Sequence, residues 1–384
     1  NVPVLSGNNG LNESMISGPV KVDGEAVVNS EASLKVALES ADSGDIITLN
    51  SDIVLSDTLN ISKDITIDGQ DHTISTTAIA TQINAINGES INYSAIIAAT
   101  NDADVVLKNL TVKGDPEKAS SDEDLTHNTR YIGVAAINAN LTMEGCKVLD
   151  ITYTQGPDGL QGMQNGFGIY AVSDNTNTLT LNNTEISNFN KTAVIVRDKV
   201  NLKMNGCTIT GFGEQAIIGQ NGIQYAGNAT IQNTKISGLI YNAENEWKNC
   251  STAIYNVSTG TTTNTVLQNV VCENVDSSYY TTGGTTSISS GSFVHVGDGN
   301  AAVAGDEGVS IVITGGKFDS NVNKYLAPGY VMDSNGNVYN PSTGGGSSST
   351  GDYLITVDKT TGGKVTVNPG RADKGDEVTI TVKP

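Results

Sequence analysis

A short motif returns along this chain at fixed phase, and that repetition limits the fold more than any other feature. The segments Val106-Leu-Lys-Asn109-Leu-Thr-Val112, Thr142-Met-Glu-Gly145-Cys-Lys-Val148, Thr180-Leu-Asn-Asn183-Thr-Glu-Ile186, Lys203-Met-Asn-Gly206-Cys-Thr-Ile209, Thr230-Ile-Gln-Asn233-Thr-Lys-Ile236 and Val266-Leu-Gln-Asn269-Val-Val-Cys272 each read as a strand, an Asn or Gly corner and a second strand. Ahead of each corner stands another motif: Ala95-Ile-Ile-Ala98, Gly133-Val-Ala-Ala136, Gly168-Ile-Tyr-Ala171, Ala193-Val-Ile-Val196, Ala216-Ile-Ile-Gly219 and Ala253-Ile-Tyr-Asn256. Asn183 and Gly206 are 23 residues apart, as are Ala193 and Ala216, whereas Asn233 and Asn269 are 36 apart, so the excess of the longer coils is loop. Two β motifs in constant order, at a period of roughly 20 to 45 residues, predict a solenoid. Its coils stack about 4.7–4.9 Å apart, which sets equivalent side chains in columns. Corner Asn residues so stacked can hydrogen-bond along the axis, and Gly serves where φ is positive.

Composition agrees with many short strands and tight turns: aromatic residues are 5% of the chain and Gly numbers 42. The clear helical signal is Ser30 to Ala41, where Leu34, Ala37, Leu38 and Ala41 share a face behind a Ser30 N-cap. Lys plus Arg number 21 against 41 Asp plus Glu, a net charge of −20, which argues against nucleic acid and anionic membranes as partners. No run of eighteen apolar residues is present, so no membrane insertion is expected. Residues 1–10 have neither a basic nor an apolar leader region, as in a processed extracellular segment.

Cys146, Cys207, Cys250 and Cys272 lack metal-binding spacing and read as buried thiols. Cys146 and Cys207 share a column but are separated by the Thr184 coil, too far to bridge, while Cys250 and Cys272 lie about one coil apart, where a disulfide is conceivable.

The sequence resembles the pectate-lyase-like β-helix superfamily. Ala32-Ser-Leu-Lys-Val-Ala-Leu-Glu-Ser-Ala-Asp-Ser-Gly-Asp-Ile-Ile-Thr-Leu49, followed by Asp64-Ile-Thr-Ile-Asp-Gly-Gln-Asp-His-Thr-Ile74, looks like the capping helix and first coils of those folds. Ile313-Thr-Gly-Gly-Lys-Phe318 with Tyr325-Leu-Ala-Pro-Gly-Tyr330 is similar to the closing coil of surface proteins of Gram-positive gut bacteria. The resemblance implies an all-β, right-handed parallel β-helix with an N-terminal capping helix and a small C-terminal β segment, secreted or at the bacterial cell surface. The expected divisions are an N-terminal extension (1–28), the β-helix (29–340), a Gly/Ser linker (341–350) and a partial β repeat module (351–384) like those of bacterial adhesins. That module is too small to be stable alone, so the natural chain is expected to continue. Its strands are expected at Tyr353 to Val357, Lys364 to Val367 and Glu377 to Val382, with Gly370 to Gly375 as a turn.

Fold does not give activity, so enzyme readings are weighed residue by residue. The acid and base segments of polygalacturonase-like relatives (Asn-Thr-Asp, Asp-Asp, Gly-His-Gly, Arg-Ile-Lys) are missing. A lyase needs a carboxylate-bound calcium and a base, for which Arg197, beside Asp198, is the candidate; a surface ion pair is the plainer reading. Asp122, Glu123, Asp124 and His127 form either a cation loop or a solvated acidic loop. His72, His127 and His295 fall in three different coils, so no triad is expected. No cofactor is implied, with calcium alone left open.

Alternation suggests a binding face instead. If Ile96, Val134, Ile169, Val194, Ile217 and Ile254 point inward, then Ile97, Ala135, Tyr170, Ile195, Ile218 and Tyr255 form an outward apolar column. Either a loop or the N-terminal residues cover it, or it receives a partner. Aromatic residues at Tyr153 to Asn165, Tyr225, Tyr241 to Trp247, and Tyr279 with Tyr280 read as loop residues, either stacking on sugars or anchoring the loops. The candidate binding residues are thus Tyr170, Ile195, Arg197, Ile218, Tyr255 and Trp247. The function expected is a non-catalytic binding protein, an adhesin for an extracellular glycan or host surface protein. A lyase or hydrolase of acidic polysaccharide is the alternative, and a structural stalk the third reading.

Overall fold

A computed structural model describes residues 21–22, 24–76, 82–86, 89–115, 130–152, 166–212, 221–238, 252–260, 262–296, 301–341, 353–354, 364–368, 371–372 and 378–383. Its strands fall in threes, for example Thr178–Asn182, Glu185–Phe189 and Thr192–Asp198, followed by Asn201–Asn205, Thr208–Phe212 and Asn221–Tyr225. Each pairs in parallel with its counterpart in the next coil, which builds two 12-stranded sheets, A and B, and a 10-stranded sheet C. The chain is a right-handed parallel β-helix, the hand that crossovers between parallel strands adopt.

Period-two alternation explains the core. In Thr178–Asn182, Leu179 and Leu181 are buried while Thr178, Thr180 and Asn182 face out. In register this gives the sheet A column Leu107, Met143, Leu181, Met204, Ile231, Leu267 and Ile288. Sheet C supplies Ile97, Val134, Ile169, Val194, Ile223, Ile254 and Tyr279. All belong to one buried cluster that runs along the axis.

The corners behave as their sequence requires. Asn109, Asn183, Asn233 and Asn269 have φ of 46, 49, 50 and 52°, and Gly145 and Gly206 have 63 and 69°. Asn269 Nδ2 donates to Asn233 Oδ1 at 2.9 Å, and Asn233 Nδ2 to Asn205 Oδ1 at 2.7 Å. A Cβ at Gly206 would stand 2.4 Å from Asn183 Oδ1, so Gly fits where the carboxamide of the previous coil fills the corner.

Helix α1, Glu31–Ser40, starts at the expected Ser30 cap with a Ser30/Ser33 capping box and buries Leu34 and Ala37. Parallel pairing gives way to antiparallel at the ends, between Lys21–Val22 and Glu25–Val28 and in Gly316–Phe318, Asn337–Tyr339 and Val331–Met332. Among the described residues no helix is long and apolar enough to cross a membrane. Near the C terminus Lys364–Asn368 pairs with Thr379–Lys383, while Arg371–Ala372, expected as turn, pairs with Tyr353–Leu354.

Two expectations are corrected. Ile97, expected to face outward, pairs with Val134 and lies in the core column, and Ile96 is buried in the same core; the ladder aligns Ile97, one residue further on than expected, with Val134. The sheet C strand after Val194 is Asn221–Tyr225, not Ala216 to Gly219: Val194 pairs with Ile223 and Ile195 with Gln224. Ile217 and Ile218 lie outside the described residues. Both segments offer a small residue ahead of an apolar one, but the second also buries Tyr225, whose hydroxyl bonds Thr265 Oγ1 at 2.8 Å. Cys146, Cys207 and Cys272 are buried free thiols, as expected; Cys250 lies outside the described residues.

Candidate binding face

The outer surface of sheet C carries the column Ala98, Ala135, Tyr170, Ile195, Gln224, Tyr255, Tyr280 and Ala304, one residue per coil. Its first half is interior. Tyr170 and Ile195 are 1% and 8% exposed and join Tyr93, Ile132, Phe167 and Val172 in a second buried cluster. The covered reading of the column therefore holds there, and Tyr170 and Ile195 do not present a surface. Phe167 meets Tyr170 edge-on with ring centroids 5.8 Å apart, and the Arg130 guanidinium lies 5.6 Å from the Tyr170 centroid. Tyr170 Oη and Thr192 Oγ1 are buried on this face without a hydrogen-bond partner among the described residues, an arrangement that costs roughly 1–3 kcal/mol each.

From Gln224 onward the column opens. Gln224, Tyr255 and Tyr280 are half-buried, in contrast to Tyr170. The rings of Tyr255 and Tyr280 pack edge to face, centroids 5.7 Å apart and planes at 72°. Tyr280 donates its hydroxyl to Asp306 Oδ1, and this bond to a carboxylate lifts the phenol to about 12. Asn221 Nδ2 donates to Gln224 Oε1 at 3.1 Å, which orients that amide. Arg197 is half-buried two residues after Ile195, opposite Val172 in the neighbouring strand.

Of the predicted site residues, Tyr255 therefore lies on the partly open stretch of this face, Tyr170 and Ile195 lie beneath its closed stretch, Arg197 is half-buried near the end of the Ile195 strand, and Ile218 and Trp247 lie outside the described residues, as do Asp122 to His127. Gln224, Tyr280 and Asp306 are the additions. Tyr225, Tyr279 and Tyr280, expected in loops, are strand residues: Tyr225 and Tyr279 point into the core and Tyr280 points out. Ile254 pairs with Tyr279 and Tyr255 with Tyr280, and the like Ile254-Tyr255 and Tyr279-Tyr280 pairs are the sequence signal for this strand.

Residues 25–145 match the family described as "Putative pectate lyase-like adhesive domain". A search of curated proteins finds no match. Among solved structures, the chain is similar to an alginate lyase from Paenibacillus sp. str. FPU-7, at 14% identity over 73% of this chain and 98% of that one, with a TM-score of 0.43. It is also similar to pectin methylesterase PemA from Erwinia chrysanthemi, at 12% identity over 82% and 81% with a TM-score of 0.38. Likenesses this distant say nothing of substrate or reaction.

Among the described residues no group of three or more His, Cys, Asp or Glu side chains is placed to hold a metal ion. A cleft of about 350 Å³ near the C-terminal cap is lined by Asp319, Asn323, Asp333 and Asn335 among others. Asp319 Oδ1 is 2.8 Å from His295 Nδ1, and Asp333 accepts from Asn337 Nδ2 and from the backbone N–H groups of Asn337 and Asn335, which holds its carboxyl below the usual range.

Proposed function

We propose that this chain is a non-catalytic binding protein, secreted or held at the surface of a Gram-positive bacterium, that attaches to an extracellular glycan through the outer face of sheet C. The observation that carries the reading is the half-exposed Tyr255–Tyr280 pair, which lies on the stretch where the column opens and stands beside oriented amide and carboxylate groups. Aromatic faces flanked by fixed polar groups suit a ligand with apolar C–H faces and many hydroxyls. The adhesive-domain match over residues 25–145 points the same way. In this reading residues 29–340 form the binding solenoid, 1–28 an extension, 341–350 a linker and 351–384 part of a β repeat module.

The deciding experiment incubates the chain with acidic and neutral polysaccharides, with and without calcium, and in parallel applies it to glycan and host-protein arrays. Saturable glycan binding without product release is expected. Product that accumulates with time and disappears in Arg197→Ala would make the protein a lyase. Capture of a host protein alone would move the ligand class, and no attachment of any kind would leave a structural stalk.

A further inference from the structure

We infer that the Tyr255–Tyr280 corner takes an uncharged pyranose unit and discriminates against uronate sugars. The inference rests on the outer face of sheet C being the binding surface. Two rings at 72° and 5.7 Å make an L-shaped corner of one ring face and one ring edge. The hydrogen bond from Tyr280 Oη to Asp306 pins the Tyr280 plane, so the corner is set before a ligand arrives and less ordering entropy is lost on binding. It also uses up the only phenolic hydrogen, leaving Tyr280 Oη able only to accept.

Polar groups at this corner select hydroxyls. Gln224 receives Asn221 on Oε1, which leaves its Nε2 hydrogens to donate to a sugar oxygen. Asp306 engages Tyr280 through Oδ1, and Oδ2 is placed to accept from a sugar hydroxyl. A carboxylate acceptor favours hydroxyl donors and repels a second carboxylate. Glu307 follows Asp306 and adds a second carboxylate to that turn, and the chain's net charge is −20. The nearest described arginine on this face, Arg197, belongs to the Ile195 strand, three strand spacings or roughly 14 Å from Tyr280, beyond the screening length of about 8 Å at physiological salt.

The test is titration calorimetry of the full chain with neutral and uronate oligosaccharides of equal length, alongside Tyr255→Ala, Tyr280→Phe, Tyr280→Ala and Asp306→Asn, each with its thermal melt recorded. The wild type is expected to prefer neutral sugars by about fivefold to tenfold, a like-charge penalty of about 1 kcal/mol. Either alanine variant should weaken neutral-sugar binding about tenfold or more, with Tyr280→Phe between them and the wild type because it keeps the ring and loses the pin. Asp306→Asn should keep neutral-sugar affinity within about threefold and raise uronate affinity about fivefold, since it retains an acceptor and loses the charge. Uronate preference in the wild type, or tyrosine variants that melt and bind like the wild type, overturns the inference. If glycan binding then depends on Arg197, the binding face survives without this corner. If no glycan binds at all, both readings fail.

Discussion

Asn233 shows how much a single corner residue carries. It adopts a φ of 50°, donates to Asn205 Oδ1 and accepts from Asn269 Nδ2, so it is both a left-handed turn residue and a rung between two neighbours. Asn233→Ala removes both side-chain bonds and adds the cost of a Cβ in left-handed backbone. A loss of about 2–3 kcal/mol is expected in urea unfolding. Asn233→Gly loses the same bonds without the strain and should be about 1 kcal/mol milder. If Ala proved the milder of the two, the backbone argument would be wrong. The same geometry explains why Asn and Gly trade places at this corner along the chain, a pattern legible in the sequence itself. The buried position after the corner is equally readable: Cys146, Thr184, Cys207 and Thr234 alternate there, with Cys146 Sγ and Cys207 Sγ 3.3 Å from the Leu107 and Leu181 carbonyls.

At the scale of elements, the capping helix depends on a residue outside it. Lys63 Nζ reaches the carbonyls of Leu38, Glu39 and Ala41 at 3.2, 2.7 and 2.9 Å, which satisfies the C-terminal end of α1 and opposes its dipole. Lys63→Met should destabilise the N-terminal coils by about 1–2 kcal/mol. Because solenoid coils contact mainly their neighbours, hydrogen exchange should rise in the strands around Asp45–Leu49 and Ile53–Leu55 and stay unchanged beyond Thr285–Ile288. Uniform deprotection along the chain would contradict that nearest-neighbour view. The Ser30 cap and the face of Leu34 and Ala37 were legible from local spacing, whereas the Lys63 contact joins residues more than twenty positions apart and has no local signature.

For the molecule as a whole, a long buried interior makes stability sensitive to alkali. Burial pushes the Cys146 thiol up to about 11 and the Cys272 thiol and Tyr131 phenol to about 12. An unfolded thiol ionises near pH 8.5 and an unfolded phenol near 10, so above those values the unfolded state holds fewer protons than the native state and stability falls as pH rises. Thermal melts should be flat from pH 7 to about 8.5 and then decline steadily, with Cys146 alone contributing about 3 kcal/mol by pH 11. Cys146→Thr, which places at this corner the residue that Thr184 supplies in the next coil, should flatten the slope without lowering the melt at pH 7. An unchanged slope would show that the thiol does not govern the decline.

Sequence alone determined what repeats locally: the strand alternation, the corners with positive φ and the capped helix follow from side-chain size, backbone strain and hydrogen-bond reach within a few residues. Register across coils was decided only by the tertiary structure. A shift of one residue moved Ile97 from the outer column to the core, and a competing apolar segment yielded the sheet C position to Gln224, because the winner is whichever strand fills the axial column and satisfies Tyr225 against Thr265. Exposure was likewise non-local. Tyr170 and Tyr255 occupy the same column in similar sequence contexts, yet one is buried and the other half-open, since what covers a solenoid face comes from parts of the chain that its repeat does not encode.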